Sequence, residues 1–240
     1  FFENHDVEEI AREASRIAKT MAHADYAPAG AMPVIMDNGF GGVLFHEACG
    51  HGLEAAFVSK KISVYTDKLG QQVASSLVTA IDDGTIPNGW GTLNIDDEGT
   101  PTRRNILIEN GVLKSYLVDR LNGKRMGMAS TGSSRRESYR YAPTSRMNNT
   151  FIDAGSSTRE EIIKATPYGL YAKSMGGGSV DITTGAFNFA VMEGYLIEDG
   201  KITKPVRGAS LIGTGLEVLQ KIDMVGQELK LGQGMCGAGS

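Results

Sequence analysis

The chain has 240 residues, 41% of them hydrophobic and 22% charged, with a formal net charge of −4. That balance supports a buried core and excludes a wholly disordered chain, and an acidic excess fits poorly with coating duplex DNA. The 31 glycines follow no Gly-X-Y period, which excludes collagen. No apolar run approaches the roughly 18 residues of a membrane span, so no membrane partner is expected. The opening Phe1-Phe2-Glu3-Asn4-His5 has neither a basic region nor an apolar one, so no secretory signal is read there. It also lacks Met, and the end at Met235-Cys236-Gly237 is equally abrupt, so an internal piece of a longer protein is expected. Two cysteines form no disulfide framework and suit a reducing, cytoplasmic compartment.

Residues from Val7 to Ala24 read as a helix. Ile10, Ala14, Ile17, Ala18 and Met21 recur at spacings of three and four, with Asp6 as N-cap and Glu9 completing a capping box. Pro33 to Asp37 reads as a short buried strand, and Leu53 to Val58 as helix or the end of one. Gln71 to Ala80 is apolar and β-branched. Asp82-Asp83-Gly84-Thr85 and Asp96-Asp97-Glu98 have the composition of solvated loops. Ile106 to Leu117 is the strongest local signal: two apolar runs around Asn110-Gly111, a pair that tolerates the positive φ of a type I′ turn. Tyr195 to Ile202 repeats that grammar around Asp199-Gly200. Between the hairpins, Met126 to Arg146 reads as a long Arg-rich surface loop. Thr158 to Ala165 is a short helix, Gly176-Gly177-Gly178 precedes a strand from Ser179 to Thr184, and another strand runs from Phe187 to Ile197. Leu216 to Ile222 is a last helical stretch. The class that follows is α+β, predominantly antiparallel sheet with a few peripheral helices, in one domain over residues 1–240.

The chemistry concentrates in His46-Glu47-Ala48-Cys49-Gly50-His51. Two imidazoles can bind a metal while the Glu between them takes a proton from water, as in zinc peptidases of the H-E-x-x-H type. The spacing is one residue longer here. On a regular helix, positions five apart lie about 140° around the axis, against about 40° for four apart. A local irregularity between Glu47 and Gly52, such as a π-bulge made inexpensive by Gly50 and Gly52, is therefore expected. Two histidines leave a metal short of ligands, and Cys49, Cys236, Glu54 and downstream Asp residues are the candidates for a third. Cys49 would crowd the distorted turn and reads as packing. Cys236, in a Gly-rich stretch, completes a His₂Cys site with an open position. His5 and His23 read as ordinary surface or core residues. Arg135-Arg136-Glu137-Ser138-Tyr139-Arg140 either holds a peptide carboxylate or keeps a loop soluble.

Several blocks then point one way. Gly41-Gly42-Val43-Leu44-Phe45-His46-Glu47-Ala48-Cys49-Gly50-His51-Gly52-Leu53-Glu54 resembles the signature of the TldD/PmbA family. Leu93 to Pro101, Leu107 to Gly111, Arg135 to Tyr139, Gly176 to Thr183 and Met235-Cys236-Gly237 resemble it too, in order along nearly the whole chain. The TldD subtype is implied, because the PmbA/TldE subtype lacks the His-Glu-His motif. The resemblance implies a cytosolic zinc metalloprotease acting on small or unfolded peptides, in peptide maturation or antitoxin degradation. His46, His51 and Cys236 are then the metal ligands and Glu47 the catalytic base. It further implies a homodimer, or a heterodimer with a PmbA/TldE-type subunit, and a chain that is the C-terminal catalytic portion of a longer protein. Another divalent transition metal could replace Zn²⁺ in such a donor set.

Two rival classes follow from the same residues. A non-catalytic, metal-stabilised binding or regulatory module would have its site closed by a fourth protein ligand, Cys49 or Glu54. Thiol redox chemistry between Cys49 and Cys236 would ignore chelators altogether.

Overall fold

The computed structural model describes residues 6–237. Helix α1 (Val7–His23) leads into strands β1 (Asp25–Tyr26) and β2 (Val34–Met36). Helix α2 (Val43–Phe45) continues through a π-helical turn (His46–Gly50) and a 3-10 turn (His51–Leu53) to α3 (Ala55–Val58). Then come β3 (Ala80–Asp83), β4 (Arg104–Glu109), β5 (Val112–Leu113), α4 (Arg120–Met126), β6 (Ser134–Arg135), β7 (Thr144–Ser145) and β8 (Asn149–Ile152). The order closes with α5 (Arg159–Ala165), β9 (Tyr168–Val180), β10 (Ala186–Glu198), β11 (Lys201–Arg207), β12 (Ser210–Thr214) and α6 (Gly215–Gln220). The class is α+β, as expected. The strand pairings described are mostly antiparallel, with β1–β11 and β2–β9 parallel.

Two compact units divide the chain, each assembled from segments distant in sequence, so no linker marks a boundary. The first takes the described residues of Phe1–Asp37 with Glu160–Gly177 and Phe189–Leu211. Its sheet runs β1-β11-β10-β9-β2, with β12 also paired to β10. Along β10, Phe189, Val191 and Glu193 are buried while Ala190 and Met192 are exposed, the period of two that a one-sided sheet requires. Glu193 tolerates that inward position because Tyr195 Oη, Arg16 Nη2 and Lys173 Nζ all reach its Oε1, at 2.6, 2.8 and 3.1 Å. Asp6 caps α1, its carboxylate accepting from the Glu8 and Glu9 N–H groups.

The second unit takes Asn38–Arg159, Gly178–Asn188 and the described part of Ile212–Ser240. Its sheet runs β5-β4-β3-β8, and Phe45, Leu53, Ile81, Leu107, Ile108, Leu117, Met147 and Leu219 are among its buried side chains. Both hairpin turns form as the dipeptides require: Asn110 and Gly111 sit at φ 48° and 82°, Asp199 and Gly200 at 51° and 68°.

Other expectations need correcting. Val34–Met36 is not a buried strand but a half-exposed one at the sheet edge beside β9. The apolar, β-branched stretch Gln71–Ala80 becomes strand only at Ala80; Val73, Ala74 and Val78 are buried in irregular backbone. Asp82 and Asp83 are not in a solvated loop but in β3, paired with β4 and β8. Asp96 is buried too, accepting from the N–H groups of Glu98, Thr100 and Ser134. Gly176–Gly178 lies inside β9 rather than before a strand. Only the tip of the Met126–Arg146 stretch behaves as a surface loop. Tyr139 is exposed there, but Thr131, Ser133, Ser134, Ser145 and Arg146 are buried and β6 pairs with β7.

Burial raises the pKa of Asp82 to about 7, even though Thr150 Oγ1 and the Asn148 N–H and amide donate to it. Between about pH 4 and pH 7 the folded chain holds a proton that the unfolded chain has released, so stability falls as pH rises through that window. Asp82→Asn removes this titration. Denaturant unfolding at several pH values should show the variant's stability rising relative to the parent from pH 4 to 7, by on the order of 3 kcal/mol at most. A pH-independent difference between the two overturns the assignment.

Candidate metal centre

The expected irregularity is present. Residues His46–Gly50 form a π-helical turn in which the His51 N–H donates to the His46 carbonyl, a bond spanning five residues instead of four. That wider turn brings together two side chains that a regular helix would splay. Their ring centroids lie 5.0 Å apart and nearly perpendicular. The glycines serve differently from expectation. Gly50 holds an ordinary helical φ of −56°, and its value is close approach: a Cβ there would collide with Met147 Sδ. At Gly52 a Cβ would come within 2.7 Å of the Tyr65 ring.

Cys236 reaches the same place from the far end of the sequence. Gly39 N–H donates to the Lys230 carbonyl at 2.9 Å and Gly39 bridges to Leu231. Gly232 then lies flat against the Phe40 backbone, where a side chain would not fit. Donor atoms of His46, Glu47, His51 and Cys236 all lie within 4.8 Å of one another. His51 Nε2 is 3.1 Å from Cys236 Sγ and 3.4 Å from Glu47 Oε2.

The electrostatics favour a cation at this point. His46 and His51 together lower the Cys236 pKa to about 5, which makes the sulfur a thiolate at neutral pH. Hydrogen bonding to His51 holds Glu47 below the ordinary carboxylate range. Burial opposes charge on His51, yet Cys236, Glu47 and Glu54 outweigh it and raise the pKa to about 11. Three anionic partners thus converge on one ring. His46 Nε2 is buried and makes no hydrogen bond, an expensive state for a ring nitrogen unless something else uses its lone pair. Two imidazoles and a thiolate suit Zn²⁺ or a neighbouring divalent ion, so the residues present fit a metal.

The other candidates fall elsewhere. Cys49 is fully buried, its pKa pushed up to about 12 by desolvation; it is core packing, and poorly suited to thiol exchange. Glu54 is buried, but its Oε1 sits 3.0 Å from His51 Nδ1, the ring nitrogen turned away from Cys236. It does not close the donor group. Arg135 is engaged with the Met147 carbonyl, and the Arg136 N–H with Asp97. His23 ends α1 in an exposed position, and His5 lies outside the described residues. Sequence reasoning missed Arg146, whose Nη2 is 3.1 Å from Cys236 Sγ. No local pattern marks it.

Two imidazoles, a carboxylate and a thiolate gathered at one helical turn define a domain of the metal-binding class. The family model for the PmbA/TldA metallopeptidase C-terminal domain matches residues 29–240, and the chain belongs to that family. A metalloprotease TldD homolog from Buchnera aphidicola is 50% identical over 246 residues, covering 99% of this chain and 51% of the relative. One from Haemophilus influenzae is 53% identical over 230 residues, covering 95% and 48%. The crystal structure of TldE from Thermococcus kodakarensis superposes with a TM-score of 0.80 at 27% identity, covering 94% of this chain and 51% of that one. The chain therefore spans about half the length of the curated relatives it matches. Among the described residues no helix is long and apolar enough to cross a membrane.

The π turn is wedged from behind by α6. A Cβ on Gly215 would run into the Ala48 carbonyl, which is backbone and cannot swing aside, and would lie 3.2 Å from Cys49 Sγ. Gly215→Ala should cost about 1–3 kcal/mol in denaturant unfolding. Gly42→Ala, whose Cβ meets nothing within 4 Å, should leave stability nearly unchanged. Equal effects at the two positions would refute the wedge.

Proposed function

We propose that the chain carries the catalytic centre of a zinc-dependent peptidase that hydrolyses small or unfolded peptides, as the C-terminal portion of a longer cytoplasmic protein. The observation that carries this reading is the convergence of His46, His51 and Cys236 with the Glu47 carboxylate as the fourth member of the group, and among the described residues no further His, Cys, Asp or Glu joins it. With Glu47 acting as base rather than ligand, three protein donors leave a position for water or substrate, as in catalytic zinc sites. Cys49 and Glu54, which would close a structural site, lie outside the group.

His46, His51 and Cys236 would hold the ion. When bound there, Zn²⁺ supplies Lewis acidity toward water and the scissile carbonyl. Glu47, kept ionised by its neighbours and with Oε2 at the edge of the donor set, receives a proton from water and returns it to the leaving amine. The Cys236 thiolate tempers the positive charge of the site. A substrate bound extended, its backbone paired with a sheet edge, would be taken with weak sequence preference and only when unfolded. The likeness to TldE supports pairing with a subunit of that type, or with a second copy, and the acidic charge disfavours direct contact with nucleic acid.

Elemental analysis of the purified chain, combined with digestion of an unfolded peptide with and without chelator, tests the reading. Cleavage should require metal, and Glu47→Gln should lose at least about 100-fold in rate while retaining metal. Normal cleavage by metal-loaded Glu47→Gln removes Glu47 as the base. Bound metal with no chelator-sensitive cleavage favours the non-catalytic, metal-stabilised module instead.

A further inference from the structure

We infer that Glu54 and Arg146 are positioning residues of the metal centre. Glu54 commits the Nε2 of His51 to the metal, and Arg146 ties that same carboxylate to Cys236. The inference rests on the metal reading above and goes beyond it.

The side chain of Glu54 is only 2% exposed. Its backbone is extended (φ −70°, ψ 126°) directly after the 3-10 turn. Two hydrogen bonds lock it there, from Leu117 N–H to the Leu53 carbonyl and from Ala55 N–H to the Leu117 carbonyl. The carboxylate therefore has little freedom. An ionised carboxylate only accepts, so at 3.0 Å from Oε1 the Nδ1 of His51 must carry the hydrogen. With that hydrogen held at Nδ1, the nitrogen left to exchange its proton for a metal is Nε2, which faces Cys236 Sγ and Glu47.

Arg146 completes the connection. Its side chain is 7% exposed and its backbone N–H donates to the Ser133 carbonyl at 2.7 Å. Nη1 lies 3.4 Å from Glu54 Oε1. Nη2 lies 3.1 Å from Cys236 Sγ and 3.3 Å from the Cys236 carbonyl. Nη1 is also 3.5 Å from His51 Nδ1, two donors that share the one carboxylate oxygen between them. The guanidinium fork thus grips a sulfur in a segment without regular structure and, with its other arm, the group that orients His51. Neither residue enters the donor group. A lysine could not span both contacts from one point charge.

The test is metal binding by the purified chain, read as Zn²⁺ affinity in competition with a chromophoric chelator. The second readout is the thiolate-to-metal absorption band of the Co²⁺-loaded protein. Glu54→Gln and Arg146→Lys should each weaken Zn²⁺ binding by about 10–100-fold. Arg146→Lys should also weaken the thiolate band. A purely structural role lowers the melting temperature but leaves affinity and band unchanged in the folded protein. If both variants fold and bind Zn²⁺ as tightly as the parent, the inference is overturned; an effect in one alone overturns it for the other residue. Should circular dichroism show that Glu54→Gln does not fold, Glu54→Asp, which keeps the charge but draws Oε1 back from Nδ1, carries the same expectation. A parent chain that binds no Zn²⁺ defeats the metal reading, and this inference with it.

Discussion

One backbone hydrogen bond governs the site: the His51 N–H to the His46 carbonyl. A bond across five residues widens the turn, so residues five apart come to the same side of the helix. With the ordinary four-residue bond His51 would rotate away by roughly a quarter turn. The wide turn is not held by its own hydrogen bonding, which is poorer than that of an α-helix. It is held by what packs against it: Met147 against Gly50, Tyr65 against Gly52 and Gly215 against the Ala48 carbonyl. Each contact requires that one partner have no side chain. Glycine here confers proximity rather than conformational freedom, because Gly50 keeps a helical φ that any residue could adopt.

The buried charges follow from that geometry. Glu54, Arg146 and His51 are each less than 10% exposed, and isolated charges so placed would be strongly unfavourable. Arranged as they are, each neutralises the next: Arg146 against Glu54 and Cys236, and His51 against Glu54, Glu47 and Cys236. The network is a chain of alternating sign that ends where a cation fits. Removing any one member takes a partner from each of its neighbours, so the cluster acts as a unit rather than as separable contacts.

How much of this was legible in the sequence depends on the range of the interaction. Asp6 at the start of α1, the Asn110-Gly111 and Asp199-Gly200 turns, and the distortion after His46 were readable because their causes lie within a few residues. The burial of Asp82 and Asp83 was not, because it comes from pairing with β8, some 66 residues downstream. Val34–Met36 has the composition of a core strand, but nothing local tells an edge from a centre. The roles of Glu54 and Arg146 were hidden for the same reason. Glu54 stood out only as a possible ligand, and Arg146 acts on His51 and Cys236 from 95 and 90 residues away.

The spread of the donors along the chain decides what a metal can add to stability. His46 and His51 share one turn, so joining them restrains little. Cys236 is 185 residues from His51, and fixing it to them closes most of the 240-residue chain into a loop. The entropic cost of such closure grows only slowly with length, yet it is substantial for a segment with no regular structure of its own. Packing within the unit offsets part of that cost. The Gly39–Leu231 bridge, the seating of Gly232 on Phe40 and the grip of Arg146 on the Cys236 carbonyl already bring the tail to the turn. A metal held by these donors would sit in a cradle that packing and buried charge also hold together, whereas the donors of small zinc domains have no such packing to gather them.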